Sequence, residues 1–383
     1  MPFSKIKNLG FLVIVLLFYI LIFVFYLSHH QWNLTSFFVF GEENKITQLF
    51  INDNIFVNDD SRGYDGQTFY LIAKNPFDFK TINDAIDSSI WRYQRIFYPL
   101  LLYFLSFGQP KLLIFLFPLV NLLAILGGVY FLSKILEIYR VNKWFSLFYG
   151  LYPGFIFTFL YNLAEPLAYF LVILSIYCFL RNKLVKSVVF LILAIFTKET
   201  CLFIAVGIIL FLLITKEDKY RPKIAWYLLP ITVFIIWYVA LFFIFTDNNA
   251  MVSSVYFNLG LPFIGLIKKM LVLVTFSPFE ITTDFFFFLF FFASAIYIII
   301  DLFKRINLFN LTAVLFLSFI LLFAPPLLYF PKEYTRHFLG FFLFFLLSYL
   351  PTKNKAIPIL LTGFLLSDIF YLIDIFILLN FFR

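Results

Sequence analysis

The residues able to do chemistry in this chain stand in five short groups, two in the long polar segment from His29 to Arg95 and three between apolar runs. The first is Tyr64-Asp65-Gly66-Gln67, followed by Phe69-Tyr70-Leu71-Ile72-Ala73. Gly63 and Gly66 on either side permit a tight turn and close backbone approach. The aromatic and apolar residues after it predict an amphipathic helix lying on a membrane surface. A carboxylate held there can take a proton from an acceptor hydroxyl; alternatively, Asp65 caps a helix beginning near Gln67. The second group is Arg92-Tyr93-Gln94-Arg95. Arg92 and Arg95 at i and i+3 share a helix face, and two guanidiniums there suit a phosphate or snorkel to the membrane boundary.

The third group, Asn162-Leu163-Ala164-Glu165-Pro166, opens an apolar run. It has the form of a capping box with proline just inside the helix, or it brings a second carboxylate, Glu165, to the site. The fourth, Thr197-Lys198-Glu199-Thr200, sets two charges between apolar runs, where they cost energy unless paired or used. Either Lys198 and Glu199 pair with each other, or Lys198 binds phosphate and Glu199 orients it. The fifth is Lys332-Glu333-Tyr334-Thr335-Arg336-His337, behind Pro325-Pro326 and Pro331. Lys332 and Arg336 suit a phosphate or diphosphate, unless the stretch is a solvated turn. His29-His30 has no third ligand spaced nearby, so no metal site is expected there.

The elements that must position these groups are membrane helices. Of 383 residues, 63% are hydrophobic and 13% charged, against about 25% charged in soluble domains. The net charge of +8 falls in short loops between apolar runs, so orientation in a bilayer explains it better than nucleic acid. Cys178 and Cys201 sit inside apolar runs, outside any metal or disulfide spacing, and read as core. The run Phe285 to Phe288 reads as composition, not as a site.

The apolar run after Lys5 and Lys7 lacks a small-residue cleavage site and is long enough to span, so it reads as an uncleaved first helix, N-terminus inside. Candidate spans are 9–27, 111–133, 144–161, 164–180, 184–197, 200–215, 224–246, 284–303, 308–330, 336–350 and 356–379. This order places Lys134, Arg140 and Lys143, then Arg181, Lys183 and Lys186, then Lys216, Lys219, Arg221 and Lys223 on the inner side. Lys304, Arg305, Lys353 and Lys355 follow them there, a positive-inside pattern. The twelve residues from Ile96 to Phe107 reach only about 18 Å against a hydrocarbon core of about 30 Å, so they are expected to form a re-entrant or interfacial helix. Lys268-Lys269 fall outside, in an amphipathic stretch from Leu261 to Phe276 expected to rest on the outer surface or to dip into it. The run 184–197 is short, about 21 Å, which places Lys198-Glu199 below the outer surface. Charge at that depth requires a wet cavity or burial in protein. The expected fold is therefore an all-α polytopic membrane protein, one domain over 1–383. It has about eleven spans, a re-entrant helix, and a large extracytoplasmic loop over 28–110 roofing a recess.

The four segments Tyr64 to Ala73, Arg92 to Ile96 with Tyr98 and Pro99, Glu165 to Ala168, and Thr197 to Thr200 resemble the GT-C superfamily of membrane glycosyltransferases. The first loop is similar to that of the GPI mannosyltransferases that add the second mannose, and closer still to their bacterial relatives. The resemblance covers roughly residues 1 to 215. It implies a polyprenyl-phosphate sugar as donor and an extracytoplasmic glycan, lipid or protein as acceptor, with Asp65 as general base. It further implies inversion at the anomeric carbon and a leaving phosphate met by Arg92, Arg95, Lys198 or Arg336. Tyr64, Gln67, Glu165, Glu199 and Lys332 are the supporting residues. Many members carry paired acidic residues where this chain has Asp65 between glycines, so no metal is expected; Asp59-Asp60 are the fallback pair. The implied location is a bacterial inner membrane with the active site outside. The rival reading is a transporter or flippase for a lipid-linked saccharide or another anionic lipid. A basic recess would serve that too, but no internal repeat of the kind transporters show is present.

Overall fold

The computed structural model describes residues 9–215, 221–245, 258–273 and 278–381. Almost all of its regular structure is α-helix, as the apolar runs require when backbone groups must be satisfied within each segment. Five helices among the described residues are long and apolar enough to cross a membrane: Gly10–His29, Pro110–Ile138, Lys223–Ile244, Asp284–Lys304 and Ala356–Ile373. Their outward faces carry large apolar side chains such as Leu21, Ile236, Phe243 and Phe303. In water such a surface would be a liability; against lipid it is what an integral membrane protein presents.

Several expected spans are shorter than their apolar runs. The run 144–161 breaks into Lys143–Ser146, Leu147–Gly150 and Pro153–Leu160. Pro153 explains the last break, because it drives Tyr152 out of the helical region, to ψ 134°. The run 308–330 is helical only to Ile320, and a separate short helix, Pro326–Tyr329, follows. The span expected to begin at 336 begins at Leu339. A short helix, Pro331–His337, precedes it and carries the fifth charged group. Both short helices start on proline, whose missing N–H costs nothing at a helix N-terminus.

The first loop is a folded cap. Short helices Lys45–Leu49, Asp65–Lys74, Phe79–Ala85 and Ser89–Tyr93 are joined by a two-residue parallel pairing, Phe40 with Val57 and Gly41 with Asn58. The stretch expected to be re-entrant is the ten-residue helix Phe97–Ser106, packed against Asp65–Lys74 and Pro110–Ile138. Within the bundle, Glu165–Leu180 packs against both Pro110–Ile138 and Leu184–Thr197. Ser175, Ser187 and Tyr227 tie three helices together by buried hydrogen bonds of 2.7–2.9 Å, the polar glue of apolar bundles. Cys178 and Cys201 are buried free thiols.

The stretch between the expected spans 224–246 and 284–303 lies partly outside the described residues, and Lys216 and Lys219 lie outside them. Its described helix, Ile264–Leu273, excludes the surface alternative for Lys269. That ammonium is buried and donates to Asp284 and to the carbonyl of Tyr329. The hydroxyl of Tyr334 donates to the other oxygen of Asp284.

Candidate functional site

The Asp65–Lys74 helix begins on the aspartate itself, with Tyr64 in extended backbone before it and no side-chain cap. Asp65 is therefore free of the capping role that was its structural alternative, and its carboxylate projects into protein. Gly66 is required by close approach: a Cβ there would meet the carbonyl oxygen of Tyr161 at 2.4 Å. That contact seats the start of the helix directly on the turn that leads to Glu165.

One oxygen of Asp65 accepts from Arg92; the other accepts from Arg336 at 2.9 Å. Arg336 also donates to Glu333 at 2.9 Å and lies 4.0 Å from Glu165. Glu165 takes the ammonium of Lys198 at 2.5 Å, both side chains almost fully buried. Glu199 accepts two bonds from Arg95, at 2.7 and 2.8 Å, the paired geometry that fits a guanidinium to a carboxylate. Tyr64 closes the ring by donating to Glu333 at 2.6 Å. Five stretches of sequence, the most distant 271 residues apart, thus converge on one network.

The details correct several expectations. Lys198 and Glu199 do not pair with each other; the extended backbone of Lys198 (φ −153°, ψ 118°) sends neighbouring side chains to different partners. The capping box at Asn162 does not form: the helix is preceded by Ala164, and the amide of Asn162 makes no hydrogen bond among the described residues. Arg92 and Arg95 do not act as one two-pronged face, because the Ser89–Tyr93 helix ends between them and each meets its own carboxylate. Gln67 turns away, bonding the carbonyl of Arg62 and the backbone N–H of Gly41; it braces the loop. Asp59 and Asp60 are exposed and outside the network. The ring nitrogens of His29 and His30 lie 2.9 and 2.7 Å from the carbonyls of Phe25 and Tyr26.

Lys332 differs from the other cations. Its ammonium lies over the rings of Tyr64, Tyr161 and Phe330 at 5.0–5.9 Å. Among the described residues it makes no ion pair with a carboxylate. Burial, then the nearby Arg336, lowers its proton affinity against the pull of Glu333 and Asp65. For Asp65, burial works to raise the carboxyl, but Arg92, Arg336 and Arg95 outweigh it and hold it well below the usual carboxylate range. Glu199, likewise desolvated but gripped by Arg95, is brought down to about 2. The cations Arg92, Arg95, Lys198, Lys332 and Arg336 face the carboxylates Asp65, Glu165, Glu199 and Glu333. Asp87, 3.6 Å from Arg92, is mostly exposed to solvent; without it, five against four leaves one positive charge in excess on the inner side, suited to an anion. Among the described residues no three His, Cys, Asp or Glu gather as metal ligands.

The sequence reading missed the support behind Arg336. Tyr334 is wholly buried between Phe287 and Phe288, at 4.9 and 5.0 Å between ring centroids, and anchors on Asp284. The phenylalanine run is thus part of the seat of the Pro331–His337 helix. One signal was available: Lys268-Lys269 broke the charge pattern of the loops, and Asp284 opened an apolar run. Both cost energy unless they meet.

Comparison with protein-family models, with curated proteins and with solved structures returns no match.

Proposed function

We propose that the chain is an inverting membrane glycosyltransferase of the GT-C kind. It moves a sugar from a polyprenyl-phosphate donor to an extracytoplasmic hydroxyl, with Asp65 as base. The single observation carrying this reading is that Asp65 shares Arg336 with the Glu165–Lys198 pair. An acid-base group and a surplus of cations occupy one small region beside apolar helices. In this reading the long helices, the shorter apolar ones and the broken segment 143–160 make eleven spans, with the N-terminus cytoplasmic.

The step is a single displacement. The acceptor oxygen attacks the anomeric carbon as its proton passes to Asp65. The bond from that carbon to the phosphate oxygen breaks, and its electron pair leaves on polyprenyl phosphate. Lys332 is the first seat for the phosphate, since it has no carboxylate to give up; Arg336 is the second. The low proton affinity of Asp65 makes it a weak base, and a phosphate drawing Arg336 away would relax that hold in part, with Arg92 still on its other oxygen. Donor binding in this reading raises the basicity of Asp65, and electrostatic stabilisation acts where charge develops.

The test is covalent. Purified protein is incubated with polyprenyl-phosphate mannose and an acceptor, and released polyprenyl phosphate is measured. Asp65→Asn is expected to lose about 100-fold or more in turnover, the range of a general base, with donor binding retained. Turnover like that of the unaltered chain would remove Asp65 as base. Donor movement across the bilayer without cleavage would favour the transporter reading.

A further inference from the structure

A cavity of about 520 Å³ opens in the first-loop cap. Of the charged network it touches only Tyr64, Asp65 and Arg92; Arg336, Lys332, Glu165 and Lys198 do not line it. Asp65 is thus a shared wall, with one oxygen on Arg92 at the cavity and the other on Arg336 behind it. The remaining charged lining is Glu43, Lys45, Arg62, Asp84 and Asp87. Counting Asp65 and Arg92, four carboxylates face three cations, one negative charge in excess. The network behind the wall has the opposite sign.

Of the cations on this side, Arg92 is held between the carboxylates of Asp65 and Asp87, and Arg62 makes a solvent-exposed pair with Glu43 at 3.5 Å. Among the described residues Lys45 meets only a carbonyl, that of Asp84 at 3.4 Å. Asp84 is exposed, and its carboxylate makes no ion pair among the described residues. The cavity therefore offers carboxylate acceptors for hydroxyl groups, and its one-charge negative excess disfavours phosphate. Its size is that of small-molecule sites.

Resting on the glycosyltransfer reading, we infer that this cavity is the acceptor site, and that the acceptor is an uncharged, hydroxyl-rich carbohydrate rather than a phosphorylated lipid or polymer. The charge difference across Asp65 sorts the two substrates: the anionic donor goes to the inner face and the neutral glycan to the outer. The acceptor hydroxyl then meets the wall that takes its proton.

Binding of methyl α-mannopyranoside and of mannose 6-phosphate to the full chain in nanodiscs, measured by saturation-transfer NMR without donor, tests this. The neutral glycoside should bind and the phosphate ester should bind more weakly. Asp84→Lys should improve the ester about fivefold, the worth of roughly one exposed charge interaction, and weaken the glycoside. Asp84→Asn, an exposed and nearly isosteric change, controls for folding. Preference for the ester in the unaltered chain, absent glycoside binding, or indifference of both ligands to Asp84→Lys would overturn the inference. Glycoside binding that responds to Asp84 while no sugar is ever transferred would sink the enzymatic reading and leave the carbohydrate site standing. Transfer unaffected by these variants would do the reverse.

Discussion

At the scale of single residues, the strongest constraints come from charges buried together. Taking a carboxylate and an ammonium out of water costs several kcal/mol per ion, repaid only when both are present and well placed. Lys198→Met leaves Glu165 charged and buried, with Arg336 4.0 Å away as its remaining partner. The expected loss is about 3 kcal/mol, the lower end for breaking a buried pair, read as a fall in Tm in detergent. Adding Glu165→Leu should restore most of it. If the double variant is no better than the single, the pair is not coupled as described. Glu199 makes a pH prediction with a definite sign. Its folded value of about 2 lies below the ordinary 4.5, so its stabilisation is complete above the ordinary value and is lost as pH falls toward 2. Tm should hold from neutrality to about 4.5 and drop below it, and Arg95→Gln should flatten part of that drop. A Tm that climbs on acidification would contradict the Arg95–Glu199 pair.

At the scale of elements, the site depends on how two short helices are seated. The Asp65–Lys74 helix rests on the carbonyl of Tyr161 through Gly66. Gly66→Ala must push them apart by more than a side-chain adjustment, because the obstacle is backbone. We expect the protein to fold with stability lowered by about 1–3 kcal/mol, the cost of overpacking, while turnover falls about 100-fold, the penalty of an ångström-scale misplacement. Full activity in that variant would mean that the register of this helix does not matter. The Pro331–His337 helix is seated from the other side by Tyr334. Tyr334→Phe removes its bond to Asp284 and should cost about 1–3 kcal/mol in stability, the penalty for leaving a buried acceptor poorly satisfied. Helix existence was legible from apolar runs and from Pro166 just inside its helix start; the short Pro331–His337 helix was not. The breaks at Tyr152 and after Ile320 were not, because a run of apolar residues looks alike whether the chain continues or turns within protein.

At the scale of the whole molecule, a helical bundle carries a folded cap on one end, and the charged network lies where they meet. Sidedness follows if basic loops stay inside. Asp59→Cys on the cap should react with an impermeant maleimide in intact cells, whereas Lys355→Cys should react only after lysis; Cys178 and Cys201 are buried and give little background. Labelling of both from outside would overturn the topology. The amino-acid sequence by itself determined that this is a helical membrane protein, where most helices lie, and which short polar groups are too costly to be idle. Those follow from the bilayer's demand for apolar side chains and internally satisfied backbone, which acts on each segment alone. Which carboxylate meets which cation was decided only in three dimensions. Lys198 and Glu199 part company, Gln67 turns to the loop, and Lys269 finds Asp284, because partners far apart in the chain are chosen by packing geometry. Local spacing carries no record of that choice.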